Sequence, residues 1–201
     1  MPSQTNEQAL ESAIEKKLTG TSLEELKALA GAENIAERAE QYRGGNGYYI
    51  GLPEDFSAKY AIDERRFWHF IETTQQDELT KLQKQSDWKL KILDRLDRMI
   101  RKYGVLRILR KGLDVDDAHF TLFYPLPLAS SGESIQRNYE QNEFSATRQL
   151  RYSMDKPLEE IDMVLFLNGL PFATMELKNH WTGQNAKVHG QQQYKYKRDI
   201  T

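Results

Sequence analysis

The sequence contains no cysteine. That removes disulfide frameworks, thiol nucleophiles and cysteine-based zinc or iron–sulfur sites, and it fits a reducing compartment. No apolar run approaches the roughly 18 residues that a membrane-spanning helix needs. Met1 to Leu10 is polar, with neither the basic start nor the apolar core of a signal peptide, so no membrane partner is expected and the default location is the cytoplasm. Excess charge of one sign is also missing. The chain sets 28 Lys and Arg against 30 Asp and Glu, and with 39% hydrophobic residues this excludes the profile of a disordered chain. At 201 residues it is one large domain or two small ones, long enough to bury a core.

The near-neutral total hides an uneven distribution. Residues 81–111 carry 11 basic and 3 acidic side chains, whereas residues 1–80 carry 8 and 15. A basic stretch of this size suits a polyanion-binding surface, although a solvated helix face is the commoner cause.

Helical signals fill the first half. Ala9, Leu10, Ala13, Ile14 and Leu18 recur at helical spacing, and Gly20 follows as a stop. Ser22 three residues before Glu25 forms a capping sequence for a second helix, and Ile35 to Tyr42 suits a third. Arg43-Gly44-Gly45-Asn46-Gly47 lacks the ending of a phosphate-cradling loop and reads as a flexible surface loop. Asp63 to Gln85 is mostly helical. The clearest helix runs from Asp87 to Tyr103, with Leu93, Leu96, Ile100 and Tyr103 on one stripe, Leu90, Ile92 and Met99 widening it, and Gly104 at the C-cap. Its other face carries Lys89, Lys91, Arg95, Arg98, Arg101 and Lys102, and Val105 to Lys111 is a second short run.

From residue 113 onward the character changes to strands, so the expected fold is α/β: a mixed sheet flanked by helices, with residues 1–112 mainly helical and 113–201 holding the sheet. Ala118 to Tyr124 alternates and leaves into a proline-containing loop, and Ser145 to Tyr152 suits a strand. Ile161 to Leu167 and Leu170 to Leu177 are strand-like runs joined by Asn168-Gly169, the strongest short hairpin signal. A last helix is expected over 183–198.

Asp162 is an ionisable group inside the apolar run Ile161 to Leu167, and burying a carboxylate there is costly unless it is paired, hydrogen-bonded or bound to a metal. Glu176 and Lys178 flank Leu177, so they share one strand face, with Cα atoms roughly 7 Å apart. Register decides whether the three can meet. A two-residue turn pairs Leu167 with Leu170 and, continued regularly, sets Asp162 opposite Met175, on the face away from Glu176. An odd-length loop or a bulge, such as a G1 bulge with Gly169 in αL, brings Asp162 and Glu176 together, and one of these is expected. Two carboxylates and a lysine on one face are what metal-assisted phosphodiester hydrolysis uses: hard oxygen ligands for Mg²⁺ and an ammonium beside the attacking water. A surface salt bridge at a strand end is the competing explanation, because a Glu-x-Lys spacing is common by accident.

The order Ile161-Asp162, thirteen residues, Glu176-Leu177-Lys178 resembles the PD-(D/E)xK nuclease superfamily, with Ile161 replacing a proline that is not a ligand. The segments NEFSATRQLRYS, IDMVLFLNGLPFATMELKN, TGQ and QYKYKRD, together with WHFIETTQQDELTKLQK and LDRLDRMIRKYGVLRILRKGL, resemble the N-terminal region of the restriction (R) subunit of type I restriction-modification enzymes over about residues 60–200. The resemblance implies a Mg²⁺-dependent endonuclease acting on double-stranded DNA, with Asp162 and Glu176 as metal ligands and Lys178 beside the water. It also implies a Gln-x-x-x-Tyr element at Gln192 and Tyr196, one face of a helix that holds the DNA backbone or braces the triad; an exposed glutamine-rich helix is the alternative. On the first helix it implies a supporting glutamate, best matched by Glu11, with Glu7 and Glu15 as rivals. The intact subunit would add an ATP-driven motor, which 201 residues cannot hold beside a nuclease, and would work with methylation and specificity subunits. The resemblance is still running at Asp199-Ile200-Thr201, so a fragment of a longer chain is expected.

Within that reading the 81–111 segment becomes a DNA-phosphate track through Arg95, Arg98, Arg101 and Lys102. Trp68, Trp88 and Trp181 are expected to pack rather than stack on bases. His69, His119, His180 and His189 lack zinc-ligand spacing, and His180 alone lies close to the triad. Two other functions compete: a non-enzymatic DNA- or partner-binding module, and a structure-specific repair or resolvase nuclease of the same superfamily.

Overall fold

The computed structural model describes residues 2–30, 35–41, 43–156 and 158–177. Helices α1 (Pro2–Thr19), α2 (Leu23–Ala30) and α3 (Ile35–Gln41) lead into β1 (Arg43–Gly44) and β2 (Tyr48–Ile50). A small pair, β3 (Phe56–Ser57) and β4 (Ile62–Asp63), precedes α4 (Glu64–Thr74), α5 (Gln76–Leu82), α6 (Trp88–Tyr103) and α7 (Val105–Lys111). A second pair, β5 (Leu113–Val115) and β6 (Ala118–Phe120), is followed by α8 (Glu133–Glu140), β7 (Phe144–Arg151), β8 (Glu160–Leu167) and β9 (Leu170–Met175).

Five strands form one mixed sheet in the order β1-β2-β7-β8-β9. β2 runs parallel to β7, with Tyr49 opposite Ser145, and the other neighbours are antiparallel. The N-terminal half is therefore not helices alone, since it supplies two strands of the central sheet. The Arg43–Gly47 stretch, expected as a flexible loop, instead supplies strand β1 and the turn that leads into β2. Its glycines serve a close approach to the end of α1. Asn46 N–H donates to the Leu18 carbonyl at 2.8 Å, and a Cβ on Gly45 would stand 2.6 Å from the Lys17 carbonyl oxygen. Gly20, with φ +84°, ends α1 as its spacing suggested.

The largest apolar cluster lies where α4–α7 and the β5–β6 pair meet the turn end of β8–β9, and includes Phe67, Phe70, Leu82, Ile92, Phe120 and Leu170. α6 buries Ile92, Leu93 and Leu96, while Leu90 and Tyr103, expected on its inner stripe, are exposed. Trp68 is buried and packs edge-on against Trp88 at 5.5 Å, consistent with a packing role. Ser22 and Glu25 cap α2 reciprocally: Glu25 N–H donates to Ser22 Oγ, and Ser22 N–H to Glu25 Oε2.

The β8–β9 hairpin combines two devices. Asn168 and Gly169 both have positive φ, +50° and +79°, as a two-residue type I′ turn requires, and Leu167 pairs with Leu170 across it. Phe166 then pairs with Pro171, but Leu165 pairs with Ala173, leaving Phe172 as the extra residue of a bulge. The expected bulge is present, three residues beyond Gly169 instead of at it. Its position has a physical reason. Pro171 has no N–H to give the ladder, and a proline inside a sheet is accommodated on an edge strand or at a bulge; β9 is both. Past the bulge the ladder ends with Met163 opposite Met175, and Asp162 and Glu176 are the residues next in line on the two chains.

Candidate active site

Asp162 sits on β8, two residues past its start, and Glu176 directly follows β9. The bulge puts both just past the last pair of the ladder, Met163 with Met175. One Asp162 oxygen is anchored: Oδ2 accepts a hydrogen bond from the Leu177 N–H at 2.5 Å. Both residues are partly exposed, so the acidic corner is open to solvent. Lys178, Gln192 and Tyr196 lie outside the described residues, as do Trp181, His180, His189 and the helix expected over 183–198.

α1 packs on β2 and β7 in a way its apolar periodicity did not foretell. Leu10 and Ala13 face solvent, and the buried positions are Glu11 (5% exposed), Glu15 (0%) and Thr19 (0%), spaced by four on one face. A helix that buries glutamates needs a counter-charge, and Arg148 of β7, itself 6% exposed, supplies it. Its Nη1 donates to Glu15 Oε2 at 3.1 Å and to both oxygens of Glu24 at 2.9 and 3.0 Å. Its Nε and Nη2 lie 3.4 and 3.3 Å from Glu11 Oε2. The neighbouring Gln149 reaches the same Glu11 oxygen through Nε2 at 3.4 Å. Two successive strand residues normally point to opposite faces, and the positive φ of Gln149, +49°, breaks that alternation.

Burial raises the Glu11 pKa above the ordinary carboxylate value; Arg148 opposes this and the nearby Asp162 charge adds to it. Burial likewise raises Glu15, against hydrogen bonds from the Leu23 N–H and Arg148. Glu11 is thus both buried and electrostatically coupled to Asp162, whereas Glu15 points to Arg148 and α2. Among the described residues no group of three acidic or histidine side chains is already gathered as a metal cage. What is present is a two-carboxylate corner with a third carboxylate within electrostatic reach. Its donors are oxygens alone, a set suited to a hard divalent cation.

The basic segment is largely answered by its own surroundings. Lys89 pairs with Glu72, Lys91 with Asp116 and Arg101 with Asp97. Arg95 and Arg98 donate to the backbone carbonyls of Asp114 and Asp94, and Lys102 lies over the Tyr103 ring at 5.0 Å. Of the described histidines, His69 meets Glu143, and His119 meets Asp114 at 2.6 Å. Neither pairing involves the acidic corner.

Reasoning on sequence missed Arg148, Gln149 and Glu24. The available signal was the four-residue spacing of Glu7, Glu11 and Glu15, a carboxylate stripe that a helix docked on a sheet has to neutralise.

Sheet, flanking helices and acidic corner together define an α/β domain carrying carboxylates at the open end of one hairpin, away from its turn. The chain belongs to the family described as type I restriction enzyme R protein N terminus (HSDR_N), matched over residues 5–200. No curated protein and no solved structure matches it. The family is the N-terminal region of a type I restriction enzyme R subunit, and membership implies a nuclease role.

Proposed function

We propose that this chain is a divalent-metal-dependent endonuclease domain that hydrolyses phosphodiester bonds of double-stranded DNA, with a fold of the PD-(D/E)xK type. The observation that supports the reading is the β9 bulge, which shifts the ladder so that Asp162 and Glu176 are the residues next after its last pair, Met163 with Met175; a regular ladder would have put them out of step.

Asp162 and Glu176 are the residues that would hold Mg²⁺. When bound, the ion supplies charge for the scissile phosphate and lowers the pKa of a coordinated water. The Leu177 N–H fixes Asp162 Oδ2, which orients the carboxylate before any ligand arrives. Lys178 stands two residues beyond Glu176 along the chain, where its ammonium would orient the attacking water and offset charge developing on phosphate oxygens. Gln192 and Tyr196 would contact the DNA backbone or brace the triad, contributing position rather than sequence readout. On α6, Arg95, Arg98, Arg101 and Lys102 form the proposed phosphate track. Recognition of a DNA target, methylation and ATP-driven translocation would come from other subunits and from a motor region of a full-length R subunit.

The test is nicking of supercoiled plasmid with and without Mg²⁺. Wild type is expected to nick only with the metal, and Asp162→Ala and Lys178→Ala to lose at least about a hundredfold of that rate, the scale of a lost charge-stabilising group. Equal Mg²⁺-dependent activity in all three proteins would reject the assignment. A preference for branched over linear duplexes in the same assay would indicate a structure-specific nuclease instead.

A further inference from the structure

α1 turns Glu11, Glu15 and Thr19 inward and leaves Leu10 exposed, the reverse of what apolar burial alone would choose. The arrangement around Glu11 has a direction. All three hydrogen bonds from Arg148 and Gln149 end on Oε2 of Glu11, leaving Oε1 out of the clamp. Asp162 shows the same pattern, since the Leu177 N–H holds Oδ2 alone. Arg148 is itself fixed from its far side, because Glu15 and Glu24 take Nη1 while Nε and Nη2 are directed to Glu11. Gln149 reaches Glu11 only through a left-handed backbone, which a non-glycine residue adopts at a cost.

We infer that Arg148 and Gln149 are positioning residues for Glu11. They clamp one oxygen of its carboxylate so that the other can join Asp162 in holding the divalent ion. The inference rests on the metal-site reading above and extends it to residues that touch neither substrate nor metal. Arg148 has a second task, since its charge keeps the buried glutamate face of α1 folded on the sheet.

Mn²⁺ affinity of the full 201-residue chain, measured by the electron paramagnetic resonance signal of free Mn²⁺, reads the clamp without relying on cleavage. Gln149→Asn is the cleaner variant. Asparagine tolerates positive φ, so the backbone stays while the shorter amide no longer reaches Glu11. One hydrogen bond to a charged group is worth about 1.5 kcal/mol, so a loss of about tenfold in Mn²⁺ affinity is expected. Arg148→Lys keeps the charge but cannot span three carboxylates, and its expected loss is larger. If it fails to fold, Gln149→Asn still decides. Glu11→Gln should weaken binding alongside them, and Asp162→Asn should abolish it. Wild-type Mn²⁺ affinity in Gln149→Asn, with Asp162→Asn inactive in binding, would overturn the positioning role and leave the metal site standing. Wild-type affinity in Asp162→Asn would overturn the metal site itself.

Discussion

Asp63 offers a sharp test of how burial governs this fold. It is 2% exposed at the junction of β4 and α4, where Oδ1 accepts from the Arg66 N–H at 3.0 Å and caps α4. Oδ2 has no hydrogen-bond partner and sees only Arg66 Nε at 3.7 Å. Burial therefore pushes the carboxyl up to about 6, against the Arg66 N–H and guanidinium, with Asp55 and Glu143 adding to the rise. Between the unfolded value, near 4, and about 6, the folded protein holds a proton that the unfolded chain has lost. The stabilisation is complete below pH ~4, falls as pH rises, and is gone above ~7. A hundredfold difference in proton affinity corresponds to about 3 kcal/mol, of which about 1.4 kcal/mol falls between pH 5 and pH 8. Asp63→Asn keeps a capping side chain and removes the titration. Urea denaturation at pH 5 and pH 8 should show wild type losing about 1.4 kcal/mol more than the variant over that range. Glu11 and Glu15, also raised by burial, are common to both proteins and cancel in the difference. Parallel stability curves for the two proteins would refute the assignment.

Gly169→Ala should destabilise by about 3 kcal/mol in the same denaturation assay, because φ is +79° and a Cβ would lie 2.4 Å from the Asp63 carbonyl oxygen; an unchanged midpoint would count against the hairpin as described. Gly45→Ala should cost about 2 kcal/mol through the end of α1, since its Cβ would meet three backbone atoms within 2.7 Å. Joint reversal of Arg95, Arg98 and Arg101 to glutamate should lower duplex affinity at low salt and reduce the salt slope by about 0.9 for each phosphate that is no longer neutralised. An unchanged slope would leave α6 as a solvated face, as its ion pairs with Asp97 and Asp116 would then explain.

Local signals were readable wherever a short-range rule decides the structure. Leu93 and Leu96 with Gly104 mark α6, Ser22 and Glu25 mark the start of α2, and Asn168-Gly169 marks a turn whose two residues need positive φ. Partners distant in sequence decided the rest. β2 is three residues long and carries no period of its own; it is a strand because Tyr49 and Ile50 pair with Ser145 and Ala146. α8 buries no residue and so left no apolar stripe to read. The need for a bulge followed from Asp162 and Glu176, but its place depends on Pro171, whose missing N–H is felt only once β8 lies alongside. The inverted face of α1 was hidden for the same reason, because the cation that makes it tolerable sits on β7, far along the chain.

The lone extra residue at Phe172 also governs how this hairpin can change length. Because the pairs on either side of it are in step, losing Phe172 alone would close the bulge into a regular ladder and leave Asp162 and Glu176 in their present register. Gaining one residue that the ladder took up, or losing a paired one while the bulge stayed, would present the wrong side of the strand at the corner and turn Glu176 away from Asp162. The bulge is thus a one-residue reserve: a chain that lost Phe172 would keep both its fold and its register at the corner, whereas one that gained a paired residue between Ala173 and Met175 would keep its fold and part with its chemistry.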